Sequence, residues 1–286
     1  MEIERFGLIP NMMKPDIGEI TRLVMDMVPE GVETVALEDA EAILEGRPVE
    51  IVDSLSGCDA VAALGGDGTL LRAARIVEGE EIPVLGIKIR SLGFLTEDDP
   101  AGAVEDLFSG RCLVQERMRL RLLKEGEISA ESDHTALNDI VLHGVGVSRV
   151  LHIRMSVGGV LLGEYLADGV IVSTPTGSTA YSLAAGGPIL NPVTSDAMII
   201  TPLYPHSLSV RPIVLNGGES LEIELVEAGQ ETMLTIDGQE ASSIGEGEKI
   251  RIGKSERPTR LLVRSDYSFY DLVRRKLQWG GVLRKR

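Results

Sequence analysis

Short apolar runs alternate with amphipathic stretches through the first 112 residues of the chain. Residues 60–64 are apolar throughout and end at glycines, which is typical of a buried strand in a parallel sheet. Residues 15–28 carry apolar side chains at a spacing of three and four, which predicts a helix. Further strands are predicted at 3–9, 32–37 and 83–87, and further helices at 40–44 and 101–108. Strands that alternate with helices imply βαβ units and a parallel sheet.

The pattern changes at about residue 113. From there to residue 266 most segments have the character of strands, and few have that of helices. Turn sequences separate these segments, among them Asp237-Gly238 and Asn216-Gly217-Gly218. The segment 268–277 is helical again. We therefore predict an α/β domain over residues 1–112 and a β-rich domain over residues 113–266.

Length and charge narrow the classes of function. A chain of 286 residues is long enough for about two domains, and 43% apolar residues suffice for sizeable cores. The formal net charge of −16 argues against nucleic-acid partners and anionic membrane surfaces, since both favour a basic face. The acidic N-terminus does not resemble a signal peptide, and no apolar run approaches the ~18 residues of a membrane span. We expect a soluble, cytoplasmic protein.

Basic residues are concentrated after Asp271. They are Arg274, Arg275, Lys276, Arg284, Lys285 and Arg286. Two interpretations remain open at this stage. The cations stabilise the end of a solvated helix, or they dock against an acidic subunit or a phosphate.

A glycine-rich loop follows the strand at 60–64 and precedes a helical pattern. It consists of Gly65, Gly66, Asp67, Gly68 and Thr69. This is the position at which open α/β sheets bind ligands, and backbone N–H groups at a helix N-terminus attract phosphate. Two roles for Asp67 remain open, a cap of the following helix or a general base toward a hydroxyl nucleophile. Arg72, one turn further on, either reaches a phosphate or faces solvent.

A second loop rich in small residues joins a strand to a short helix between Asp168 and Ile189. Its hydroxyl residues are Thr174, Thr176, Ser178 and Thr179. Hydroxyls at such a turn either cap the helix or bind a ligand. Tyr181 follows in the first helical turn, where it stacks on a base, bonds a ribose or simply packs. Asp168 is either a turn residue or a polar ligand contact.

These blocks together resemble the NAD kinase family. The match is carried by GGDGT at 65–69, Leu137-Asn138-Asp139, TPTGSTAYSLAAGGPI at 174–189, the sequence PHSL at 205–208 and IDGQ at 236–239. GGDGT alone also occurs in lipid kinases and phosphofructokinases, whereas the TPTGSTAY block is more specific. The resemblance implies phosphoryl transfer from ATP, or another phosphoryl donor, to the 2′-hydroxyl of the adenosine ribose of NAD, giving NADP.

The resemblance also implies an architecture. It implies a Rossmann-like N-terminal α/β domain, a β-rich, β-sandwich-like C-terminal domain that binds NAD, and a C-terminal helix, 267–286, that joins the first domain. The site would lie between the domains and near a subunit interface of a homodimer or homotetramer. Substrates would be NAD and ATP with a divalent metal, Mg²⁺, for which no protein ligand is assigned.

Residue roles carried over from the family complete the expectation. Asp67 would accept the proton, and Gly65, Gly66, Gly68 and Thr69 would form the phosphate loop. The NAD-binding set would be Asp67, Gly68, Arg72, Asn138, Asp139, Arg149, Asp168, Thr179, Ala180, Tyr181, Ser182, Ala184 and Gln239. Within it, Asn138 and Asp139 would hold the adenosine, and Asp168 would approach the nicotinamide end.

Two positions depart from the family pattern. Asp139 stands where the family commonly has glutamate, and Ala184 stands where serine is frequent. Two other functions are weighed against the kinase. One is a lipid kinase that shares the GGDGT loop, and the other is a non-catalytic dinucleotide sensor that kept the fold.

Overall fold

The computed structural model describes residues 2–44, 46, 48–89, 93–124, 134–146 and 150–280. The chain forms two compact units. The first comprises Met1–Glu116 and Thr259–Arg286, and the second comprises Arg117–Pro258. Within the described ranges, no helix combines the length and the apolar character that crossing a membrane requires.

The first part of the first unit alternates strands with helices, as the sequence predicts. Its elements are β1 (Arg5–Pro10), α1 (Ile17–Met27), β2 (Glu33–Leu37), α2 (Glu41–Leu44), β3 (Glu50–Val52), β4 (Ala60–Gly65), α3 (Asp67–Ile76), β5 (Val84–Lys88), α4 (Pro100–Phe108) and β6 (Leu113–Arg117). Strands β1 to β5 pair in parallel, and β4 is buried along its whole length. A fully buried strand of this kind accounts for the unbroken apolar run at 60–64.

The second unit is built almost entirely of strands. Its elements are β7 (Leu120–Lys124), β8 (His134–Ala136), β9 (Asp139–Gly144), β10 (Leu151–Val157), β11 (Val160–Ala167), β12 (Gly169–Ser173), α5 (Tyr181–Ala184), β13 (Ala197–Leu203), β14 (Ile213–Asn216), β15 (Leu221–Ala228), β16 (Thr232–Ile236), β17 (Glu240–Ile244) and β18 (Lys249–Lys254).

Two six-stranded sheets share the core of this unit. Their strand orders are β11-β10-β15-β18-β7-β8 and β14-β13-β12-β9-β16-β17. One hydrophobic cluster draws buried side chains from both sheets, for example Ile153 of β10 and Val172 of β12. Because alternate residues of each strand point into this shared core, the unit has the architecture of a β-sandwich. The expected fold class is confirmed.

The chain returns to the first unit earlier than the sequence suggests. Strand β19 (Thr259–Val263) pairs in parallel with β5 and lies in the order β3-β2-β1-β4-β5-β19-β6, and α6 (Phe269–Leu277) follows it. The sequence pattern predicts a β-rich domain up to residue 266, whereas Thr259–Val263 pairs with β5 of the first unit. The apolar pattern of a strand does not reveal which sheet the strand joins.

Candidate functional site

The GGDGT loop lies at the carboxyl end of strand β4, where a ligand is expected in an open α/β sheet. Gly66 is the N-cap of α3, and a side chain at Gly65 would collide with the hydroxyl of Thr69. That hydroxyl accepts hydrogen bonds from the Gly66 N–H at 3.4 Å and from Nδ2 of Asn11 at 3.1 Å. Thr69 is buried, so it shapes the loop from within.

The carboxylate of Asp67 is held by a separate segment of the first unit. It accepts the N–H of Phe94 at 2.7 Å and the N–H of Leu95 at 3.0 Å, and the hydroxyl of Thr96 lies at 3.4 Å. Since Gly66 occupies the N-cap and Asp67 is the first residue of α3, the capping interpretation of Asp67 is wrong. Its carboxylate is instead fixed by backbone donors about 28 residues further along the chain.

Gly68 and Arg72 complete the predicted residues of this loop. Gly68 is exposed, with open space where a side chain would stand. Arg72 forms an ion pair with Asp39, and both side chains are partly exposed. The contact of Arg72 with phosphate therefore stays a prediction, as do the phosphate contacts of Gly65, Gly66 and Gly68.

A cavity of about 370 Å³ opens in the second unit. Five of the predicted NAD-binding residues line it, namely Asn138, Asp139, Asp168, Ala180 and Tyr181. Its polar lining includes three carboxylates, and no lysine or arginine stands among the described residues that line it. An acceptor-rich, cation-free lining suits hydroxyl and amino groups that donate hydrogen bonds, and it repels phosphate.

Asp237 organises the wall of this cavity, although the residues proposed from the sequence did not include it. Its carboxylate accepts the N–H groups of Leu137, Asn138 and Asp139 at 2.9, 2.7 and 3.1 Å. The residue has a φ of 50°, a left-handed conformation that aspartate tolerates better than most residues. Asp237 lies in the IDGQ block, which was the sequence signal for it. His143, Tyr204 and Thr235 also line the cavity and had no such signal.

Burial changes the acidity of the two neighbouring carboxyl groups. Burial, and then the charge of Asp237, raises the pKa of Asp139 to about 7. Burial also raises the pKa of Asp237, although its three backbone hydrogen bonds oppose the shift. In the described part of the chain, the carboxyl group of Asp139 has no hydrogen-bond partner, so it is available to a ligand in the cavity.

The hydroxyl groups of the 174–182 loop bond the protein itself. Thr174 donates to the carbonyl of Leu137 at 2.6 Å, and Ser178 donates to the carbonyl of Pro175 at 2.6 Å. The hydroxyls of Ser182 and Thr201 lie 2.9 Å apart. These contacts account for a loop with more hydroxyls than one helix cap needs. They hold the backbone that presents Ala180 and Tyr181 to the cavity.

Several predicted binding residues lie away from the cavity lining. Ser182 is fully buried, whereas Ala184 and Gln239 are exposed, and Thr179 donates its hydroxyl to the carbonyl of Thr176 at 3.2 Å. Arg149 lies outside the described residues. NAD contacts by these five residues stay predictions.

Two family models match the chain. The model of the ATP-NAD kinase N-terminal domain matches residues 10–109, and that of the ATP-NAD kinase C-terminal domain matches residues 137–264. The chain belongs to the NAD kinase family. The family resemblance and the expected kinase activity are confirmed, and nothing in the comparisons favours a lipid kinase or a sensor.

Relatives of known name extend this finding over the full length. The NAD kinase of Moorella thermoacetica is 39% identical, over 98% of this chain and 91% of the relative. That of Gemmatimonas aurantiaca is 37% identical, over 97% of each chain. Among NAD kinase structures, yeast NADH kinase complexed with NADH matches with a TM-score of 0.88 and 25% identity, covering 100% of this chain and 91% of that one.

A second solved structure supports the fold alone. The NAD kinase from Archaeoglobus fulgidus in complex with ATP matches with a TM-score of 0.72 and 22% identity, over 96% of this chain and 98% of that one. Like the yeast enzyme, it aligns with both units of this NAD kinase family member.

Proposed function

We propose that this NAD kinase transfers the γ-phosphoryl group of ATP to the 2′-hydroxyl of the adenosine ribose of NAD, with Asp67 as the proton acceptor. The observation that carries the proposal is the fixed carboxylate of Asp67. Two backbone N–H groups hold its two oxygens at 2.7 and 3.0 Å, beside the N-terminus of α3. A carboxylate has about four acceptor positions, so it can hold these donors and still take a hydroxyl proton.

We further propose that the cavity of the second unit takes the adenosine of NAD. The carboxyl group of Asp139 and the amide of Asn138 suit the hydroxyl and amino groups of an adenosine, and Tyr181 offers a ring on which the base stacks. Asp168 serves the nicotinamide end. Since the cavity lining favours hydrogen-bond donors over anions, the phosphate groups belong elsewhere. Arg72 and the positive end of the α3 dipole are the groups proposed for them.

The proposed divalent metal is Mg²⁺ bound to the phosphates of ATP. Within the described residues, no three His, Cys, Asp or Glu side chains come together as a set of metal ligands. Mg²⁺ commonly keeps several waters and binds through substrate phosphates with one or two carboxylates, so the proposed ion does not require a dedicated cluster of protein ligands. When bound, the ion neutralises charge on the transferred group, while this chain supplies the positioning and the proton acceptor.

We also propose that the chain forms a homodimer or homotetramer in the cytoplasm. The second unit exposes large apolar side chains, with Leu208 90% and Tyr204 79% exposed. The edge strand β11 adds Val160 and Leu161 at 72% and 58%. Exposed apolar groups of this size favour burial against a second copy. Light scattering of the purified chain tests this, and a monomer at micromolar concentration would contradict it.

The test of the catalytic proposal is Asp67→Asn in the full chain, assayed with NAD, ATP and Mg²⁺. We expect NADP formation to fall by about 10²–10⁴-fold, since the proton acceptor is lost. The dissociation constant for NAD, measured by calorimetry, should change by less than about threefold because the cavity is intact. Asp266→Asn, at a largely exposed acid of the same unit, is the matched control.

Other outcomes separate the alternatives. Turnover of Asp67→Asn within about tenfold of the parent would exclude the carboxylate as base. Phosphorylation of lipid vesicles in place of NAD would support the lipid kinase, and NAD binding without any NADP would support the sensor. Replacing ATP with inorganic polyphosphate in the same assay decides the donor.

A further inference from the structure

Residues 93–98 of the first unit connect Asp67 to the C-terminal helix. At one end of this segment, the N–H groups of Phe94 and Leu95 hold the carboxylate of Asp67. At the other end, the carboxylate of Asp98 is held by cations from β5 and α6. The segment is therefore fixed between the proposed base and an element more than 170 residues away in the sequence.

The Asp67 end of the segment is closely packed. A side chain at Gly93 would collide with the carboxylate of Asp67, and one at Gly86 of β5 would come within 2.8 Å of the carbonyl oxygen of Leu95. The Glu97 N–H donates to the carbonyl of Gly86 at 2.8 Å, and the Lys88 N–H donates to the carbonyl of Glu97 at 3.2 Å. A small displacement of this backbone would thus move the donors of Asp67.

The Asp98 end is held by charge. Its Oδ1 accepts hydrogen bonds from Nζ of Lys88 at 2.9 Å and from Nζ of Lys276 at 3.2 Å, and Nη1 of Arg275 lies 3.6 Å from Oδ2. The side chain of Lys276 is only 1% exposed. A buried ammonium group has lost most of its hydration, so the charge of Lys276 needs the carboxylate of Asp98 to stabilise it.

The neighbouring cations of the same helix differ in this respect. Arg274 is 68% exposed at its side chain and pairs with Asp271 of its own helix at 2.7 Å. The contact of Lys276 matches neither interpretation of the tail, because Asp98 belongs to the same chain and not to another subunit or a phosphate. Arg274 stabilises the helix itself, and Lys276 docks on an acid of the same chain.

We propose that Lys276, acting through Asp98, holds residues 93–98 in the position that orients the Asp67 carboxylate. Lys276 is in this sense a positioning residue, and α6 is a brace for the site of phosphoryl transfer. The inference rests on the proposed role of Asp67. A misplacement of about 1 Å at a reacting group costs roughly 10²-fold in rate, so a brace of this kind acts on turnover more than on substrate binding.

The experiment compares Lys276→Met, Lys276→Arg and the control Arg274→Met in the full chain. We expect Lys276→Met to lower kcat by about tenfold or more while the KM for NAD changes by less than about threefold. Lys276→Arg keeps a cation and should restore most of the loss. Arg274→Met removes a charge from the same helix without touching Asp98, so its kcat should equal that of the parent.

Hydrogen exchange supplies the second measurement. We expect the amides of Phe94 and Leu95 to exchange about tenfold faster in Lys276→Met, and those of α1 to exchange at the parent rate. Parent values of kcat and of exchange in a folded Lys276→Met would overturn the proposal, as would a kcat loss that Arg274→Met reproduces. If Lys276→Met fails to fold, Asp98→Asn replaces it, because Asp98 is partly exposed and the same results are expected.

The outcomes also separate this inference from the proposed function. If Asp67→Asn keeps turnover, Asp67 is not the base, whatever Lys276 does. The exchange of Phe94 and Leu95 then still decides whether Lys276 fixes the segment. If Asp67→Asn loses turnover and Lys276→Met keeps both turnover and exchange protection, the base is supported and the brace is wrong.

Discussion

Asp139 and Asp237 are joined by two reciprocal hydrogen bonds, one between backbone groups and one accepted by the Asp237 carboxylate. The N–H of Asp237 donates to the carbonyl of Asp139 at 2.9 Å, and the carboxylate of Asp237 accepts the N–H of Asp139 at 3.1 Å. These contacts order the wall of the proposed adenosine site, and they also bring the half-buried carboxylate of Asp237 close to Asp139. The charged form of Asp139 is disfavoured first by burial and then by this neighbour.

A dependence of stability on pH follows from this pair. The pKa of Asp139 is raised from 3.8 to about 7 in the folded chain. Because the folded state holds this proton more tightly than the unfolded state, the neutral carboxyl stabilises the fold below about pH 4. That contribution is lost as the pH rises through about 7. We expect Asp139→Asn, which stays neutral, to gain stability relative to the parent as the pH rises through this range, by about 4 kcal/mol at pH 8.

Urea unfolding of both proteins across this pH range measures the difference. Asp266→Asn, at a largely exposed acid, serves as the control and should stay within about 0.5 kcal/mol of the parent. A constant difference between Asp139→Asn and the parent at all pH values would show that Asp139 is ionised normally in the fold.

Gly93 provides a test of the contact at Asp67 that does not involve charge. A Cβ at this position would collide with the Asp67 carboxylate and lie 2.9 Å from the hydroxyl of Thr96. We expect Gly93→Ala to lower kcat by at least about tenfold and the free energy of unfolding by about 1–3 kcal/mol, because either the carboxylate or the segment must move. Enzyme assay and urea unfolding of the same preparation measure both.

Gly18 is the matched control for this substitution. It lies in α1 with open space around it, so Gly18→Ala should raise stability by about 0.5–1 kcal/mol through the gain in helix propensity and leave kcat unchanged. A Gly93→Ala variant with the kcat and stability of the parent would mean that Asp67 does not depend on its contact with the 93–96 segment.

Local sequence patterns explain how much of this site could be predicted. The apolar run before Gly65 and the glycines after it were enough to place the loop at the end of a parallel strand. The partners of Asp67 could not be predicted, since Phe94 and Leu95 act through backbone N–H groups that leave no mark on residue type. Likewise, nothing local connects Lys276 with Asp98, which are 178 residues apart.

The 174–182 loop shows a different limit. The sequence reveals its hydroxyl residues, but it does not distinguish hydroxyls that bond a ligand from hydroxyls that bond their own backbone. Only burial separates them, and Ser178 and Ser182 are both fully buried. Tyr181, in contrast, is 49% exposed and lines the cavity. Its side chain is therefore placed to contact a ligand.

Substitutions of Tyr181 therefore test how the base of NAD is held. If its ring stacks on adenine, Tyr181→Phe keeps the ring and should leave the KM for NAD within about twofold, whereas Tyr181→Ala should raise it by about tenfold, since stacking of a base on an aromatic ring is worth about 1–3 kcal/mol. Steady-state kinetics at saturating ATP measure the KM.

Tyr270→Ala, at a tyrosine that is 72% exposed in the first unit, controls for the loss of an aromatic ring. A rise in KM that Tyr181→Phe shares in full would instead assign the contribution to the phenol hydroxyl, and an unchanged KM in Tyr181→Ala would remove Tyr181 from the site.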